Sequence, residues 1–172
     1  VGRPAVLAHL EAVVRGEHHV GGEEARVARA EEREQKQQDR KAQLDAFTQH
    51  MAKFLRGRRF AIIVVQQTDD GRAFNRGALL NVGFVEAQRL AADAPVASVI
   101  FHDVDLLPSA GLLPLYSAPP TPMRPRHLAG PSTWGKYALP GYDAIFFGGV
   151  TAVSPPDFER CNGFPNDHWG WG

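Results

Sequence analysis

The chain has few of the features that mark several protein classes. Its one cysteine, Cys161, excludes an intrachain disulfide and a multi-cysteine zinc site. No apolar run approaches the roughly 18 residues that a membrane-spanning helix needs, and the start of the chain lacks the apolar centre of a signal peptide. The 19 basic and 19 acidic residues cancel. Because nucleic-acid-binding domains normally carry a basic excess, we expect no nucleic-acid partner.

Two widespread nucleotide-binding motifs are missing as well. The sequence contains neither G-x-x-x-x-G-K-[ST] nor G-x-G-x-x-G, the glycine-rich loops that hold phosphates in P-loop proteins and in dinucleotide-binding proteins. Their absence disfavours a nucleotide-binding domain of either of these two classes.

The composition changes near residue 39. Residues 23–43 are rich in charged residues and glutamine and hold almost no large apolar side chain, which predicts a solvated helix or a partly disordered arm. The chain as a whole is 44% apolar, enough for one domain with a core. We therefore predict a poorly specified, charged and Gln-rich arm over residues 1–38 and a globular domain over residues 39–172.

Apolar residues at spacings of three and four begin this domain. Leu44, Phe47, Met51 and Leu55 follow the period of an α-helix and predict one apolar helix face. Gly57 follows directly and is expected to end the helix, since glycine is the usual residue just beyond a helix C-terminus.

The next segments predict a β-α-β unit. Residues 60–65 form a continuous β-branched run, typical of a strand covered on both faces. A helix is predicted to start at Asn75 or Gly77 and to end before Pro95, and a second strand follows over residues 96–101. This order favours a parallel α/β sheet, in which ligands gather at the carboxyl ends of the strands.

Two carboxylates follow the second predicted strand. Asp103 and Asp105 are separated by one residue. Buried carboxylates are rarely left unpaired, and Mg²⁺-like ions commonly bind one or two carboxylates together with substrate phosphates. The pair therefore suggests a metal ion that also binds a phosphate group. The alternative is two solvent-exposed acids in a turn that ends at Pro108.

Other segments can contribute to such a site. Arg76 at the start of a helix suits a phosphate, although it can equally be a surface charge beside a helix cap at Asn75. A predicted strand at residues 144–147 leads into Gly148 and Gly149, whose bare backbone allows a sugar or phosphate close approach; the alternative is a tight turn.

The last segment of the chain is unusual in composition. Trp169 and Trp171 are separated by one glycine, and such tryptophans suit stacking against a sugar ring. Core packing is the alternative, more plausible for Trp169 than for Trp171. Before this segment, Ser154 is predicted to cap a short helix that starts at a proline.

Taken together, these segments resemble the β-1,4-galactosyltransferase family over roughly residues 39–172, in the family's order and close to its spacing. They are Phe-Asn-Arg at 74–76, Leu-Asn-Val-Gly-Phe at 80–84, His-Asp-Val-Asp-Leu-Leu-Pro at 102–108, Pro-Arg-His at 125–127, Phe-Gly-Gly-Val at 147–150, and Asn-Gly-Phe with Trp-Gly-Trp-Gly within 162–172. The 102–108 segment, Cys-Asn-Gly at 161–163 and Leu-x-x-Phe-x-x-His-Met-x-x-Phe-Leu at 44–55 look most like the xylosylprotein 4-β-galactosyltransferase branch.

The resemblance implies a GT-A-like fold, a mixed sheet flanked by helices that is incomplete in this chain. It also implies an enzyme that uses Mn²⁺ to transfer galactose from UDP-galactose, with inversion, to a xylose, glucose or N-acetylglucosamine type of acceptor. By the same resemblance the metal ligand is Asp105. The donor-binding residues that it implies are Phe74, Arg76, Asp103, Val104, Gly149 and Trp171. The family further implies the Golgi lumen and a type II membrane protein as the full-length parent.

The chain departs from the family pattern in several places. Family members continue after Trp-Gly-Trp-Gly into an acidic segment with the general base, so the resemblance predicts a C-terminally truncated chain, with no catalytic residue before Gly172 and little or no transfer. The family's early Pro-Phe-Arg segment is absent. Phe146 stands where many members have tyrosine, which leaves galactose and N-acetylgalactosamine open as donors. The alternative function is a non-catalytic UDP- or sugar-binding module, or an assembly partner of an active transferase.

Overall fold

The computed structural model describes residues 6–12, 23–68, 72–91, 95–130 and 147–170, with side chains from residue 39 onward. Strands and helices alternate through most of these segments, and the last two strands follow each other in the order of the described elements. In chain order the elements are β1 (Val6–Ala12), α1 (Glu23–Phe54), β2 (Ala61–Gln67), α2 (Arg76–Leu90), β3 (Val99–His102), a 3₁₀ turn (Ala110–Leu112), α3 (Leu113–Ser117), β4 (Arg126–His127), β5 (Val150–Val153) and α4 (Pro155–Arg160).

The strands form two sheets. β1 runs parallel to β2 over their whole length, from Val6 opposite Ala61 to Ala12 opposite Gln67. The second sheet has the order β3-β5-β4, and both of its pairings are antiparallel. Parallel and antiparallel pairs with helices around them confirm the predicted α/β class with mixed strand directions.

The strands predicted at residues 60–65 and 96–101 do not share a parallel sheet in the described residues, so this prediction is wrong. β3 pairs antiparallel with β5, and neither described sheet joins β3 to β2. The four residues of β5 are all buried, whereas residues 62–65 of β2 are only half-buried and therefore are not covered on both faces as predicted. An apolar run predicts a strand but does not specify its neighbour, and here the more buried strand, β5, takes the position beside β3.

Helix α1 agrees with the apolar periodicity. Phe47 and Met51 are buried and Leu44 and Leu55 are half-buried, while residues 39–43 are exposed as predicted for a solvated helix. The helix ends at Phe54, and Gly57 adopts the left-handed conformation with φ +79°. The same helix runs across residues 38 and 39, where the sequence predicts the boundary between the arm and the domain.

Two apolar clusters fill the interior, and β3 lies between them. The first core joins α1 to the segments around β4 and β5, and the second joins α2 to α4. Consecutive residues of β3 pack into different clusters, because Ile100 packs against the first core and Phe101 belongs to the second. The chain leaving β3 at residue 103 is therefore fixed from both sides. The buried members of the first core are Phe47, Met51, Leu106, Leu112, Tyr116, Leu128, Ala129, Val150 and Ala152, and those of the second are Phe84, Phe101, Val153 and Phe158.

None of the helices in the described ranges is long and apolar enough to cross a membrane.

Ser154 caps helix α4, as the sequence predicts. Its hydroxyl accepts a hydrogen bond from the backbone amide of Asp157 and donates one to the carboxylate of the same residue, 2.7 Å away. Pro155 occupies the first helical position, where proline is well tolerated. The bond from Ser154 lowers the pKa of the Asp157 carboxyl, which also accepts a bond from the backbone amide of Met123. The cap thus ties the start of α4 to a distant loop.

We expect Ser154→Ala to lower the free energy of unfolding by about 1 kcal/mol, the usual cost of losing a helix N-cap. Chemical denaturation monitored by circular dichroism would measure the change. Ser109→Ala is the matched control, because Ser109 also precedes a helical turn but its side chain makes no capping hydrogen bond. Equal losses for the two variants would contradict the capping role.

Candidate functional site

The two predicted acids lie on a tight turn that follows β3 directly. In this acidic turn (residues 103–106), the backbone amide of Leu106 donates to the carbonyl of Asp103 at 3.2 Å, and the amide of Asp103 donates to the carbonyl of Gly149 at 2.9 Å. Leu106 is 2% exposed and Val104 packs against the first core. Asp105 is exposed. The turn is thus anchored by its apolar residues and presents the second carboxylate at the surface.

Arg76 forms an ion pair with the first of the two acids. Its Nε and Nη2 atoms donate to Oδ1 of Asp103 at 3.2 and 2.9 Å. The two side chains are 30% and 32% exposed, so the pair is partly shielded from water and is stronger than a pair in open solvent. Arg76 is the first residue of α2. The start of this helix and the acidic turn are therefore held together, although 27 residues separate Arg76 from Asp103 in sequence.

Asn75 caps the same helix, and its side chain is almost fully buried at 1% exposure. Its Oδ1 accepts from the amide of Ala78 at 2.9 Å, and its Nδ2 donates to the carbonyl of Asn166 at 2.7 Å. Its backbone amide donates to the side chain of Gln67 at the end of β2. The sequence predicts a plain cap here. The structure adds that the cap connects β2 and α2 to residue 166.

The segment that ends with the tryptophans lies along α2. In this tryptophan loop (residues 162–170), the backbone of Phe164 both donates to and accepts from the side chain of Asn81, at 2.9 and 2.8 Å. The Asn81 amide also reaches Oδ1 of Asn166 at 2.7 Å. At the far end of the loop, the amide of Gly170 donates to the carbonyl of Phe74 at 2.8 Å. Two asparagines of the α2 region, Asn75 and Asn81, therefore hold the first half of the loop.

Trp169 lies on the surface of this loop and is 40% exposed. The guanidinium of Arg72 is 5.1 Å from the centre of its ring, within the range of a cation–π interaction. Trp169 is therefore not a core residue, contrary to the packing alternative. The other predicted tryptophan, Trp171, lies outside the described residues.

The glycine pair completes the surroundings of the acidic turn. Gly149 is buried with φ +73° and accepts the backbone bond from Asp103. Nε2 of His127 is 2.9 Å from the carbonyl of Gly148, so the ring donates this bond. Phe147 is 52% exposed, with its ring 5.4 Å from that of His127. Of the strand predicted over residues 144–147, Phe147 is not in a strand and the rest lies outside the described residues.

Sequence reasoning missed His102 as a member of the site. Its Nδ1 is 2.8 Å from the carbonyl of Asp103, and its Nε2 is 2.8 Å from the hydroxyl of Tyr116. Burial lowers the pKa of His102 to about 4, and burial also raises the pKa of Tyr116. The only signal in the sequence was the position of the histidine, between an apolar strand and an aspartate.

The structure thus brings most of the predicted residues into one region. Arg76, Asp103 and Gly149 are joined by direct bonds, Val104 and Asp105 share the acidic turn, and Phe74 lies two residues before Arg76. Among the described residues, no three side chains of His, Cys, Asp or Glu come together as a metal-binding group.

Comparison with known proteins identifies the family. Residues 36–116 match the model for the N-terminal region of glycosyl transferase group 7, and residues 134–172 match the model for the N-terminal domain of galactosyltransferase. The chain belongs to this galactosyltransferase family. The matched ranges contain all seven residues that the sequence predicts for the site.

Individual galactosyltransferases are similar to large parts of the chain. Xylosylprotein 4-β-galactosyltransferase of Caenorhabditis elegans is 38% identical over 136 residues, which are 78% of this chain and 43% of that protein. β-1,4-Galactosyltransferase 3 of Homo sapiens is 42% identical over 125 residues, or 72% of this chain and 30% of that protein. The chain thus spans less than half the length of either relative.

Solved structures of this galactosyltransferase family share the fold. The catalytic domain of Drosophila β-1,4-galactosyltransferase 7 in complex with xylobiose is 32% identical, with a TM-score of 0.62, and the match covers 98% of this chain and 56% of that one. A mutant of the same enzyme, in complex with manganese, UDP-Gal and xylobiose, is 30% identical with a TM-score of 0.63, covering 96% and 56%. These likenesses confirm the predicted fold class.

Proposed function

We propose that this galactosyltransferase chain forms the donor side of a β-1,4-galactosyltransferase site, where it binds UDP-galactose together with Mn²⁺. The observation that carries the proposal is the ion pair between Arg76 and Asp103 beside the exposed carboxylate of Asp105. The pair places a cation and a carboxylate at the start of a helix, and these are the groups that a diphosphate and its metal ion require.

The carboxylates of the acidic turn fit Mn²⁺ by their chemistry. Hard oxygen ligands suit Mg²⁺ and Mn²⁺, and such ions often use one or two carboxylates with substrate phosphates as the remaining ligands. Asp105 is the proposed metal ligand, as the family resemblance implies, and it lies exposed on the acidic turn. The bound ion would neutralise the charge that develops on the UDP leaving group.

The remaining residues take the roles that the family resemblance implies. Arg76 and Phe74 hold UDP, and the acidic turn contacts the nucleotide through Asp103 and Val104. The bare backbone at Gly149 leaves room for the donor sugar. By the same resemblance, Trp171 belongs to the loop that closes over donor and acceptor, and we assign no general base to residues 1–172. The boundary between the arm (1–38) and the domain (39–172) and a location in the Golgi lumen belong to the same proposal.

For the acceptor we favour a xylose-type sugar over a glucose or N-acetylglucosamine type. Support comes from two of the similar proteins, because one is named a xylosylprotein galactosyltransferase and the other was solved with xylobiose. The xylosylprotein-like segments at 44–55, 102–108 and 161–163 point in the same direction.

Titration of the chain with UDP, with and without Mn²⁺, tests the proposal. We expect UDP binding that requires the metal ion. Transfer of galactose from UDP-galactose to a xyloside should be weak or absent. Glycan binding without UDP or metal would instead support the non-catalytic module. UDP binding that is indifferent to Mn²⁺ would contradict the proposed metal site.

Arg76→Gln is expected to weaken Mn²⁺-dependent UDP binding by about ten- to a hundredfold, because a charge-assisted bond to a phosphate contributes roughly 1.5–3 kcal/mol. Isothermal titration calorimetry would measure the change. The matched control is Arg89→Gln in the last turn of the same helix, where the exposed Arg89 pairs with Glu86 away from the acidic turn. If both variants lost the same affinity, the effect would lie in α2 as a whole and not in the phosphate contact.

A further inference from the structure

The carbonyl oxygen of Asp103 holds the acidic turn in place through two hydrogen bonds. It accepts one bond from the amide of Leu106, which closes the turn, and a second from Nδ1 of His102 at 2.8 Å. A carbonyl oxygen can only accept hydrogen bonds. His102 therefore carries its proton on Nδ1 and donates it to the turn.

The other ring nitrogen of His102 fixes this arrangement. In a neutral imidazole with a proton on Nδ1, Nε2 has a free lone pair and accepts. The hydroxyl of Tyr116 is 2.8 Å from Nε2 and donates to it. Tyr116 is 8% exposed and lies on α3. The chain of bonds runs from α3 through the imidazole to the backbone of the acidic turn.

Helix α1 packs around this hydrogen-bonded pair with the residues of its apolar stripe. The ring of Phe47 meets His102 edge-on at 4.8 Å, and the ring of Phe54 meets Tyr116 edge-on at 5.1 Å. Between them, Nε2 of His50 is 2.7 Å from the carbonyl of Pro108, just beyond the turn. The motif at residues 44–55, to which the proposed function assigns no role, therefore packs around His102 and Tyr116.

The geometry points to His102 and Tyr116 as positioning residues for the acidic turn. Tyr116 orients the imidazole, and the imidazole holds the carbonyl of Asp103, so that the carboxylate of Asp105 is presented to a metal ion and a nucleotide diphosphate in one fixed orientation. Neither residue is proposed to touch the ligand. This role rests on the proposed function, because it concerns the same metal and nucleotide site.

Tyr116→Phe is the most direct test, since phenylalanine keeps the ring in the aromatic packing and removes only the hydroxyl. We expect the Kd for UDP in the presence of Mn²⁺ to rise about tenfold, at the lower end of the effects seen when a partner that orients a metal ligand is lost. The binding of Mn²⁺ alone, followed by the decrease of the free-ion signal in electron paramagnetic resonance, should weaken in parallel.

Two substitutions of His102 separate its two bonds. His102→Asn places an amide nitrogen near the position of Nδ1 and can still donate to Asp103, whereas His102→Leu loses both bonds. The asparagine variant should therefore bind Mn²⁺ and UDP more tightly than the leucine variant. Equal loss in both, with unchanged binding in Tyr116→Phe, would overturn the positioning role.

A destabilised variant elsewhere serves as the matched control. Ser154→Ala removes the N-cap of α4 and the bond to the Asp157 carboxylate, and should lower the Tm while leaving the Kd for UDP within about twofold at a temperature where the protein is folded. A similar loss of affinity in this variant would show that the effects of the His102 and Tyr116 substitutions come from lower stability of the whole protein. If the unmodified chain showed no Mn²⁺-dependent UDP binding at all, the proposed function would fail first, and the Tm values of the variants would still report whether the two bonds support the fold.

Discussion

Asp105→Asn should remove most of the Mn²⁺-dependent binding of UDP, with a loss of affinity of about a hundredfold. The substitution keeps the size of the side chain and removes the negative charge, and the coupling energy between closely placed opposite charges at a binding interface is about 1.5–7 kcal/mol. Because the side chain of Asp105 is exposed and the apolar residues Val104 and Leu106 anchor the turn, we expect the fold to remain intact. Calorimetric titration with UDP at fixed Mn²⁺ would measure the affinity.

The control for this prediction is Glu159→Gln, which removes one exposed carboxylate from helix α4, outside the acidic turn. It should bind UDP and Mn²⁺ like the unmodified chain. If Asp105→Asn left the metal-dependent binding of UDP unchanged, the metal ion would be bound by other residues. Circular dichroism spectra that match for all three proteins would exclude a change of fold as the cause.

Gly77→Ala should have the largest effect on stability, about 2 kcal/mol less favourable folding, within the range for overpacking a well-packed site. A Cβ atom at Gly77, in the first turn of α2, would collide with the carbonyl oxygen of Pro165 in the tryptophan loop. The clash is with backbone, so it cannot be relieved by rotating a side chain. We expect the tryptophan loop to separate from α2, and limited proteolysis should then cut it faster.

Gly83→Ala is the matched control for this prediction, since it makes the same change in the same helix. The new methyl group would meet the end of the Val65 side chain at 3.2 Å, which can give way, and alanine favours a helix over glycine by about 1 kcal/mol. This variant should be within about 1 kcal/mol of the unmodified chain. Similar losses in the two variants would place the cost in α2 itself and not in its contact with the loop.

Local patterns in the sequence predicted the helices well. The 3–4 spacing of apolar residues located α1, with Phe47 and Met51 buried, and cap chemistry placed Ser154 and Asn75 correctly at the starts of α4 and α2. These features depend on residues within one or two turns of each other. The strand partners were not predictable in the same way, because β3 pairs with a strand far along the chain and an apolar run carries no information about its partner.

The candidate site shows the same division. The family motifs indicated Arg76, Asp103 and Gly149, and the structure joins these three residues by direct bonds. The contacts that hold these residues in place could not be predicted from the sequence. The contacts of His102 with Tyr116 and of Asn81 with the backbone of Phe164 join residues from separate elements. A lone histidine or asparagine has no periodicity, so only the fold reveals its partner.

The bond between the Asp103 amide and the Gly149 carbonyl also affects when the site can form. These residues are about 46 positions apart, and closing a loop of that length costs conformational entropy before any stabilising contact forms. On the ribosome, the acids of the turn emerge well before the strand that fastens them. Non-local pairings of this kind form late in folding. Helices α1 and α2 can therefore assemble early, whereas the acidic turn reaches its final shape only after β5 has been synthesised and has docked.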